Sequence, residues 1–253
     1  MRLCVIGDPV GHSLSPLLHG TMLRRCGIEG NYQAVTVTPE TLPAFIRAAR
    51  DGAWDGCNVT MPLKQAILPY LDELSPAAAA CGAVNTVCFR QGRALGDNTD
   101  APGIVASLAA WGAANTGPVL LLGNGGAARG ARWALRGRPL ITAARRGGDV
   151  SLDELPRAAR GCTLLLNATP LGMTGYPALT DFSFLDGLAE GAAVFDLVYQ
   201  PRSTALLASA EQRGLTAIGG LELLVQQAML SFARFTGAEP EPGLRRALLE
   251  LVE

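Results

Sequence analysis

Lys64 closes the stretch NVTMPLK and is the single lysine among 21 lysines and arginines. Arginine stays protonated in proteins, whereas a lysine can release a proton and take it back. A lysine kept in so arginine-rich a chain reads as a general acid. The competing reading is a surface residue that never drifted to arginine. The 2 histidines, His12 and His19, both lie near the N-terminus, so acid–base chemistry elsewhere needs another residue type. Asp100, at the end of GDNTD, is the candidate partner. Its carboxylate could orient Lys64 and share a proton with a substrate hydroxyl. Asp97 competes for that role, and Asp100 equally fits the N-cap of a following helix. In GHSLSP, Ser15 fits an N-cap with Pro16 in the first helical position. Ser13 then adds a second hydroxyl at that helix start, where a carboxylate or phosphate binds well. His12 reads as structural.

A second set of residues fits a nucleotide. GNGGAARG, residues 123–130, follows the apolar run PVLLL and opens a helical pattern. Gly123, Gly125 and Ala128 give the spacing G-x-G-x-x-A in the strand–turn–helix context of a dinucleotide fingerprint. Glycines there permit close approach of the backbone to a pyrophosphate, and the helix start offers free N–H groups. A plain strand-to-helix turn is the alternative. The next strand, PLITAA, ends in Arg145 and Arg146 without the acidic residue that usually grips a ribose 2′-hydroxyl. Two guanidinium groups suit a 2′-phosphate instead. NADP is expected over NAD, against the alternative of a solvated arginine pair.

Composition narrows the classes. A formal net charge of -1 offers no basic field for nucleic acid or anionic lipid, so neither is expected as a partner. Hydrophobic content of 49% with 17% charged residues fits a soluble globular protein. Cys4, Cys26, Cys57, Cys81, Cys88 and Cys162 are scattered, with no C-x-x-C pair, as expected of reduced thiols in the cytoplasm. No His/Cys/Asp cluster has metal-ligand spacing. No apolar run has the length of a membrane span, and the N-terminal one is too short for a signal peptide.

The elements that must position these residues alternate between short apolar runs and helical patterns. LCVIG, YQAVTV, GCNVT and AVNTVCF read as strands, separated by helices from SPLLHGTMLRRCG, PETLPAFIRAARDG and LKQAILPYL. This predicts an α/β unit with a largely parallel sheet. Residues 101–114 read as a connecting helix and NTGP, 115–118, as a break. Then PVLLLG, PLITAA, TLLLNAT, AAVFDLVY and LTAIG alternate with helices at GGAARGARWALRG, SLDELPRAARG and TALLASAEQRG. These strands are almost continuously apolar, as when helices cover both faces of a sheet. LELLVQQAMLSFARFTG and PGLRRALLELVE predict two closing helices that return to the first domain.

In order along the chain, GHSLSP, NVTMPLK, AVNT, GDNTD, GNGGAARG, NATPLGM, DLVYQP and GLELLVQQA resemble the motifs of the shikimate dehydrogenase family over essentially the whole sequence. The resemblance implies an N-terminal α/β substrate-binding domain, 1–100 with 220–253, and a Rossmann-type doubly wound NADP-binding domain, 101–219, with a cleft between them. It implies reversible, NADPH-dependent reduction of 3-dehydroshikimate to shikimate, in the biosynthesis of aromatic amino acids. Lys64 and Asp100 would be the catalytic pair. Ser13 and Ser15 would hold the substrate carboxylate, with Tyr199 near it. Thr60, Asn85, Asp100 and Gln227 would bond the ring hydroxyls, register favouring Gln227 over Gln226. Gly123, Asn124, Gly125, Gly126 and Ala127 would cradle the pyrophosphate, Arg145 and Arg146 would meet the 2′-phosphate, and Leu197 and Gly220 would flank the nicotinamide. The expected assembly is a monomer or homodimer.

Three departures stand out against that pattern. Ala144-Arg145-Arg146 replaces the family's usual Asn-Arg-Thr. Glu222 and Leu223 stand where Gly and Met are common, which puts a carboxylate near a phosphate-bearing cofactor. Gln226 precedes Gln227. The alternatives are a quinate/shikimate dehydrogenase of broader specificity, a methylenetetrahydrofolate-type dehydrogenase, which the serine pair disfavours, and a homologue that binds NADP without turnover.

Overall fold

The computed structural model describes residues 1–114, 116–239, 241 and 243–252. Asn115 of the expected break, and Pro242 and Glu253 of the last expected helix, lie outside the described residues. The chain divides into two compact units, Met1–Asp100 with Gln227–Glu253, and Ala101–Gln226.

The first unit holds a six-stranded sheet in the order β2-β1-β3-β5-β6-β4. Its strands are β1 (Arg2–Gly7), β2 (Asn31–Thr36), β3 (Gly56–Val59), β4 (Glu73–Leu74), β5 (Thr86–Arg90) and β6 (Arg93–Asp97). Helices α1 (Ser15–Arg25), α2 (Leu42–Ala48), α3 (Leu63–Ala66) and α4 (Pro76–Cys81) connect them. A core of Cys4, Ile6, Leu42, Ile46, Cys57, Val59 and Leu63 joins β1 and β3 to α2 and α3.

The sheet is parallel in three of its five pairings, β1–β2, β1–β3 and β4–β6, within the largely parallel expectation, and antiparallel in the other two. β1 pairs parallel with β2 and β3, but β5 runs antiparallel to both β3 and β6. The tight turn at Gln91 (φ 53) and Gly92 (φ 73) makes β5–β6 a hairpin. Two successive left-handed residues match the twist of a two-residue hairpin turn, but Gln-Gly lacks the Asn-Gly or Asp-Gly signature. The hairpin has a consequence for the site. The C-terminal ends of β1, β3 and β6 and the N-terminal end of β5 all fall on one edge of the sheet.

The second unit is a five-stranded parallel sheet in the order β11-β10-β9-β7-β8. Its strands are β7 (Val119–Leu122), β8 (Leu140–Ala143), β9 (Leu164–Asn167), β10 (Ala193–Asp196) and β11 (Thr216–Ile218). Helices α5 (Asp100–Ala110), α6 (Gly126–Ala134), α7 (Leu155–Ala158) and α8 (Ala205–Glu211) accompany them. Successive side chains of one strand face opposite sides of a sheet. Val119 and Leu121 therefore pack with Ile104, Leu108, Ala128 and Ala131, while Leu120 and Leu122 pack with Leu155, Ala158, Leu206 and Leu207. Helices on both faces are the physical reason for the unbroken apolar runs, as the sequence predicts. Strand order reverses at β7, the topological switch point where doubly wound sheets bind ligands beyond the strand C-termini.

Helix α9 (Gly220–Thr236) carries the chain back into the first unit, followed by α10 (Leu244–Val252). The crossing falls at Gln226–Gln227, inside α9, rather than at its start. Its first turns belong to the second unit because Leu223 packs on that core and Glu222 bonds within it. Among the described residues no helix is long and apolar enough to cross a membrane, and no group of three His, Cys, Asp or Glu could hold a metal. None of the six cysteines forms a disulfide.

Candidate active site

Lys64 sits in the first turn of α3, directly beyond the end of β3. Its Nζ donates to Asp100 Oδ2 at 2.7 Å, with side chains 34% and 26% exposed. The other oxygen, Asp100 Oδ1, accepts from Asn85 Nδ2 at 2.8 Å. Asn85 is itself buried and fixed: its Oδ1 accepts from the Thr99 N–H at 2.8 Å and the Thr86 hydroxyl at 3.0 Å. The carboxylate that meets Lys64 is thus held at both oxygens. An ammonium has three donors, so the pairing leaves Lys64 two more for a reacting oxygen. Asp100 also opens α5, where a carboxylate is favoured by the helix dipole.

Asp97 is excluded as the partner by its own bonds. It accepts from Arg234 Nε at 2.7 Å, from the Asn98 N–H at 2.7 Å and from the Ser75 hydroxyl. Thr60 lies at the same edge, its N–H bonded to Ile6 O at 2.9 Å and its carbonyl to Leu63 N. Gly7 explains how β1 and Thr60 come so close. A Cβ at Gly7 would stand 2.4 Å from Thr60 Cγ2 and 2.7 Å from Met61 O.

The serines exchange their expected places. Leu14, not Ser15, is the N-cap of α1, and Ser15 is its first residue, 8% exposed. Ser13 Oγ accepts the Ser15 N–H at 3.2 Å, so Ser13 supplies the local turn and Ser15 is the hydroxyl left without a capping role. The cause is backbone conformation: Leu14 is already in the right-handed helical region. Exposed His12 immediately precedes this turn, and His19 is buried in the core. Ser13, Ser15, Thr60, Lys64, Asn85 and Asp100 belong to the first unit, as does half-buried Gln227.

In the second unit, Gly123 follows β7 with φ 106, and a Cβ there would lie 2.8 Å from Thr169 Cγ2, in the loop after β9. Gly125 is the N-cap of α6, with no side-chain cap, and nothing lies within 4 Å of a Cβ built at Gly125 or Gly126. The first N–H groups of α6, Gly126 and Ala127 included, are therefore open to an anion. Asn124 is braced: its amide donates to Gly147 O at 2.7 Å and its Oδ1 accepts from Arg132 at 3.1 Å. Arg145 and Arg146 are exposed, and neither forms an ion pair among the described residues. They begin the turn that follows β8, beside the glycine loop, since the Gly123 N–H bonds to Ala143 O. Asp149, which the sequence reading passed over, closes that turn by accepting the Thr142 N–H at 2.7 Å. One oxygen of this exposed carboxylate is thus taken by backbone.

Leu197 and half-buried Tyr199 lie on the loop after β10, the Leu197 N–H bonding to Asn167 O at 3.0 Å. Gly220 is indispensable for packing: a Cβ would stand 2.5 Å from Leu197 O and 2.6 Å from Val198 O. Glu222, the carboxylate expected near the cofactor, is already engaged by protein donors. It is 3% exposed and accepts from Trp111 Nε1 at 3.0 Å and Gln226 Nε2 at 2.9 Å. The same bond engages Gln226. Sequence reasoning quoted Asn167, Thr99 and Asp196 within motifs but gave them no role, because a single polar residue at a strand end, as Asn167 and Asp196 are in β9 and β10, carries no periodic signal.

Residues 5–87 match the family model described as the shikimate dehydrogenase substrate binding domain. The chain is 44% identical to a shikimate dehydrogenase (NADP(+)) of Methylobacterium radiotolerans, covering 96% of this chain and 95% of that one. It is 39% identical to another of that description from Exiguobacterium, covering 99% and 98%. A crystal structure of shikimate 5-dehydrogenase from Thermus thermophilus, in complex with NADP(H) and shikimate, superposes with a TM-score of 0.87 at 38% identity, covering 99% and 98%. With such identity over nearly its full length, the chain belongs to the shikimate dehydrogenase family.

Proposed function

We propose that this chain reduces 3-dehydroshikimate to shikimate with NADPH, reversibly, the activity its relatives' names describe. The observation that carries the reading is the 2.7 Å pair of Lys64 and Asp100 at the sheet edge that also bears Thr60 and Asn85. In this reading the first unit is the substrate-binding domain. Ser13 and Ser15 hold the carboxylate, with Tyr199 near it, and Thr60, Asn85, Asp100 and Gln227 bond the ring hydroxyls. The second unit is the NADP-binding domain. Gly123, Asn124, Gly125, Gly126 and Ala127 cradle the pyrophosphate, Arg145 and Arg146 take the 2′-phosphate, and Leu197 and Gly220 flank the nicotinamide. The uncapped start of α6 and two exposed arginines that form no ion pair among the described residues fit such a phosphate-rich dinucleotide.

When bound, NADPH supplies the hydride for the ketone carbon. Lys64 stabilises the negative charge that develops on the ketone oxygen and delivers the proton that completes the alcohol. Asp100 keeps the ammonium aimed, and Asn85 keeps Asp100 in place, so little reorganisation remains at the moment of reaction. The same reading carries a monomer or homodimer in the cytoplasm, which sizing chromatography and cell fractionation test.

The decisive assay compares NADPH and NADH oxidation with 3-dehydroshikimate and 3-dehydroquinate, for the wild type and Lys64→Ala. The variant is expected to lose about two or more orders of magnitude in kcat with substrate affinity changed far less. Undiminished turnover in the variant refutes Lys64 as the acid. A preference for 3-dehydroquinate refutes the substrate assignment.

A further inference from the structure

Asp196 ends β10 and is fully buried, 0% exposed. Among the described residues no cation contacts it. Its carboxylate is instead held by three donors from three segments. Oδ1 accepts from Asn167 Nδ2 at 2.9 Å, at the end of β9, and from the Val198 N–H at 3.1 Å, in its own loop. Oδ2 accepts from Thr204 Oγ1 at 2.6 Å, the N-cap of α8. Burial pushes this carboxyl above its ordinary range, and the three hydrogen bonds work against that. A core carboxylate without a counter-charge is costly unless its geometry is nearly complete. The sequence maintains one here, in a strand that is otherwise apolar.

We propose that Asp196 is a positioning residue that sets the loop 197–200 against the glycine-rich side of the nucleotide site. The proposal rests on the reading above, in which Leu197 flanks the nicotinamide and Tyr199 lies near the substrate carboxylate. Each partner of Asp196 organises a neighbouring segment. Asn167 Oδ1 accepts the Thr169 N–H at 3.0 Å and the Thr169 hydroxyl at 2.6 Å, and Thr169 is the residue against which Gly123 packs. Thr204 also accepts the Leu207 N–H at 3.3 Å, which starts α8. On its other side the loop is clamped by Gly220, whose N–H meets Val198 O at 3.3 Å, and Gln200 O accepts the Thr174 N–H at 2.9 Å. One carboxylate thus registers the 167–174 loop, the 197–200 loop and the α8 N-terminus with one another. All three partners donate to the carboxylate, whereas an amide would turn an N–H toward the Thr204 hydroxyl and force that hydroxyl to accept instead.

The test compares Asp196→Asn, Thr204→Val and Thr204→Ser by NADPH fluorescence titration, steady-state kinetics and thermal melting. Thr204→Ser retains the donor and should match the wild type within about twofold, whereas Thr204→Val and Asp196→Asn should lower kcat about tenfold or more. In those two variants the NADPH Kd should rise about threefold or more, because the disturbed loop carries Leu197 beside the nicotinamide. Variants that melt earlier yet keep kcat and NADPH Kd overturn the proposal, as does Thr204→Ser failing like Thr204→Val. Should Asp196→Asn not fold, the Thr204 pair decides. A wild type that binds NADPH but leaves 3-dehydroshikimate unreduced refutes the substrate reading alone, and the Kd comparison still judges Asp196. A wild type that binds no NADPH overturns both.

Discussion

Lowering the pH from 7.5 to 5 should destabilise the first unit through one side chain, His19. Its ring is 1% exposed, stacked on Tyr32 with centroids 4.3 Å apart, and flanked by Phe232 and Phe235. Nε2 meets the Ser231 hydroxyl at 3.4 Å, and that hydroxyl donates to Ala228 O, so the geometry favours the tautomer with hydrogen on Nε2. Nδ1 has no partner. Burial lowers the pKa from 6.5 to about 3. The folded protein therefore keeps His19 neutral, while the unfolded chain takes up a proton below pH 6.5. The contribution to stability is fully present above 6.5, falls as the pH drops below it, and levels off near 3, where the fold also binds the proton. At pH 5 the unfolded state lies 1.5 units below its midpoint, so the loss is about 2 kcal/mol at 1.36 kcal/mol per unit. With a urea m-value of about 2–3 kcal/mol/M, that is a midpoint shift of about 0.7–1 M. The assay is urea unfolding at pH 7.5, 6 and 5 for the wild type and His19→Gln, whose amide can still reach Ser231 but does not titrate. The difference between the two pH slopes isolates His19 from the carboxylates common to both. Parallel slopes would refute the argument and mean that the ring takes up a proton in the folded state.

Two further outcomes follow from close approach and from charge. Gly7→Ala should lower stability by about 1–3 kcal/mol and raise KM for the substrate, because its Cβ must displace Thr60 and the Met61 carbonyl; thermal melting and steady-state kinetics with a wild-type result would show that this edge yields freely. Replacing Arg145 and Arg146 together with alanine should raise KM for NADPH about 10- to 100-fold and leave NADH nearly unchanged, since charge-assisted bonds to a phosphate are worth roughly 1.5–3 kcal/mol. Equal losses with both nucleotides would remove the arginines from 2′-phosphate recognition.

The features that rest on period and composition were legible in the residues alone. Continuous apolar runs required a sheet covered on both faces, and the structure divides Val119–Leu122 alternately between two cores. The glycine loop announced itself by following a strand and opening a helix, and the lone lysine by its residue type. Which remote groups meet became visible only in the folded chain. Asp97 and Asp100 are three residues apart and chemically alike, yet one is bound to Arg234 and the other to Lys64. That choice follows from the β5–β6 hairpin, whose reversal brings Asn85 and Asp100 to the edge holding Thr60 and Lys64. Likewise Ser13 and Ser15 were separated only by the helical backbone of Leu14, and Asp149 and Asp196 found their roles only through donors on neighbouring segments. Hydrophobic burial repeats along the chain and can be read from it. A hydrogen bond between distant side chains leaves no repeat, and exists only once strand direction and register are fixed.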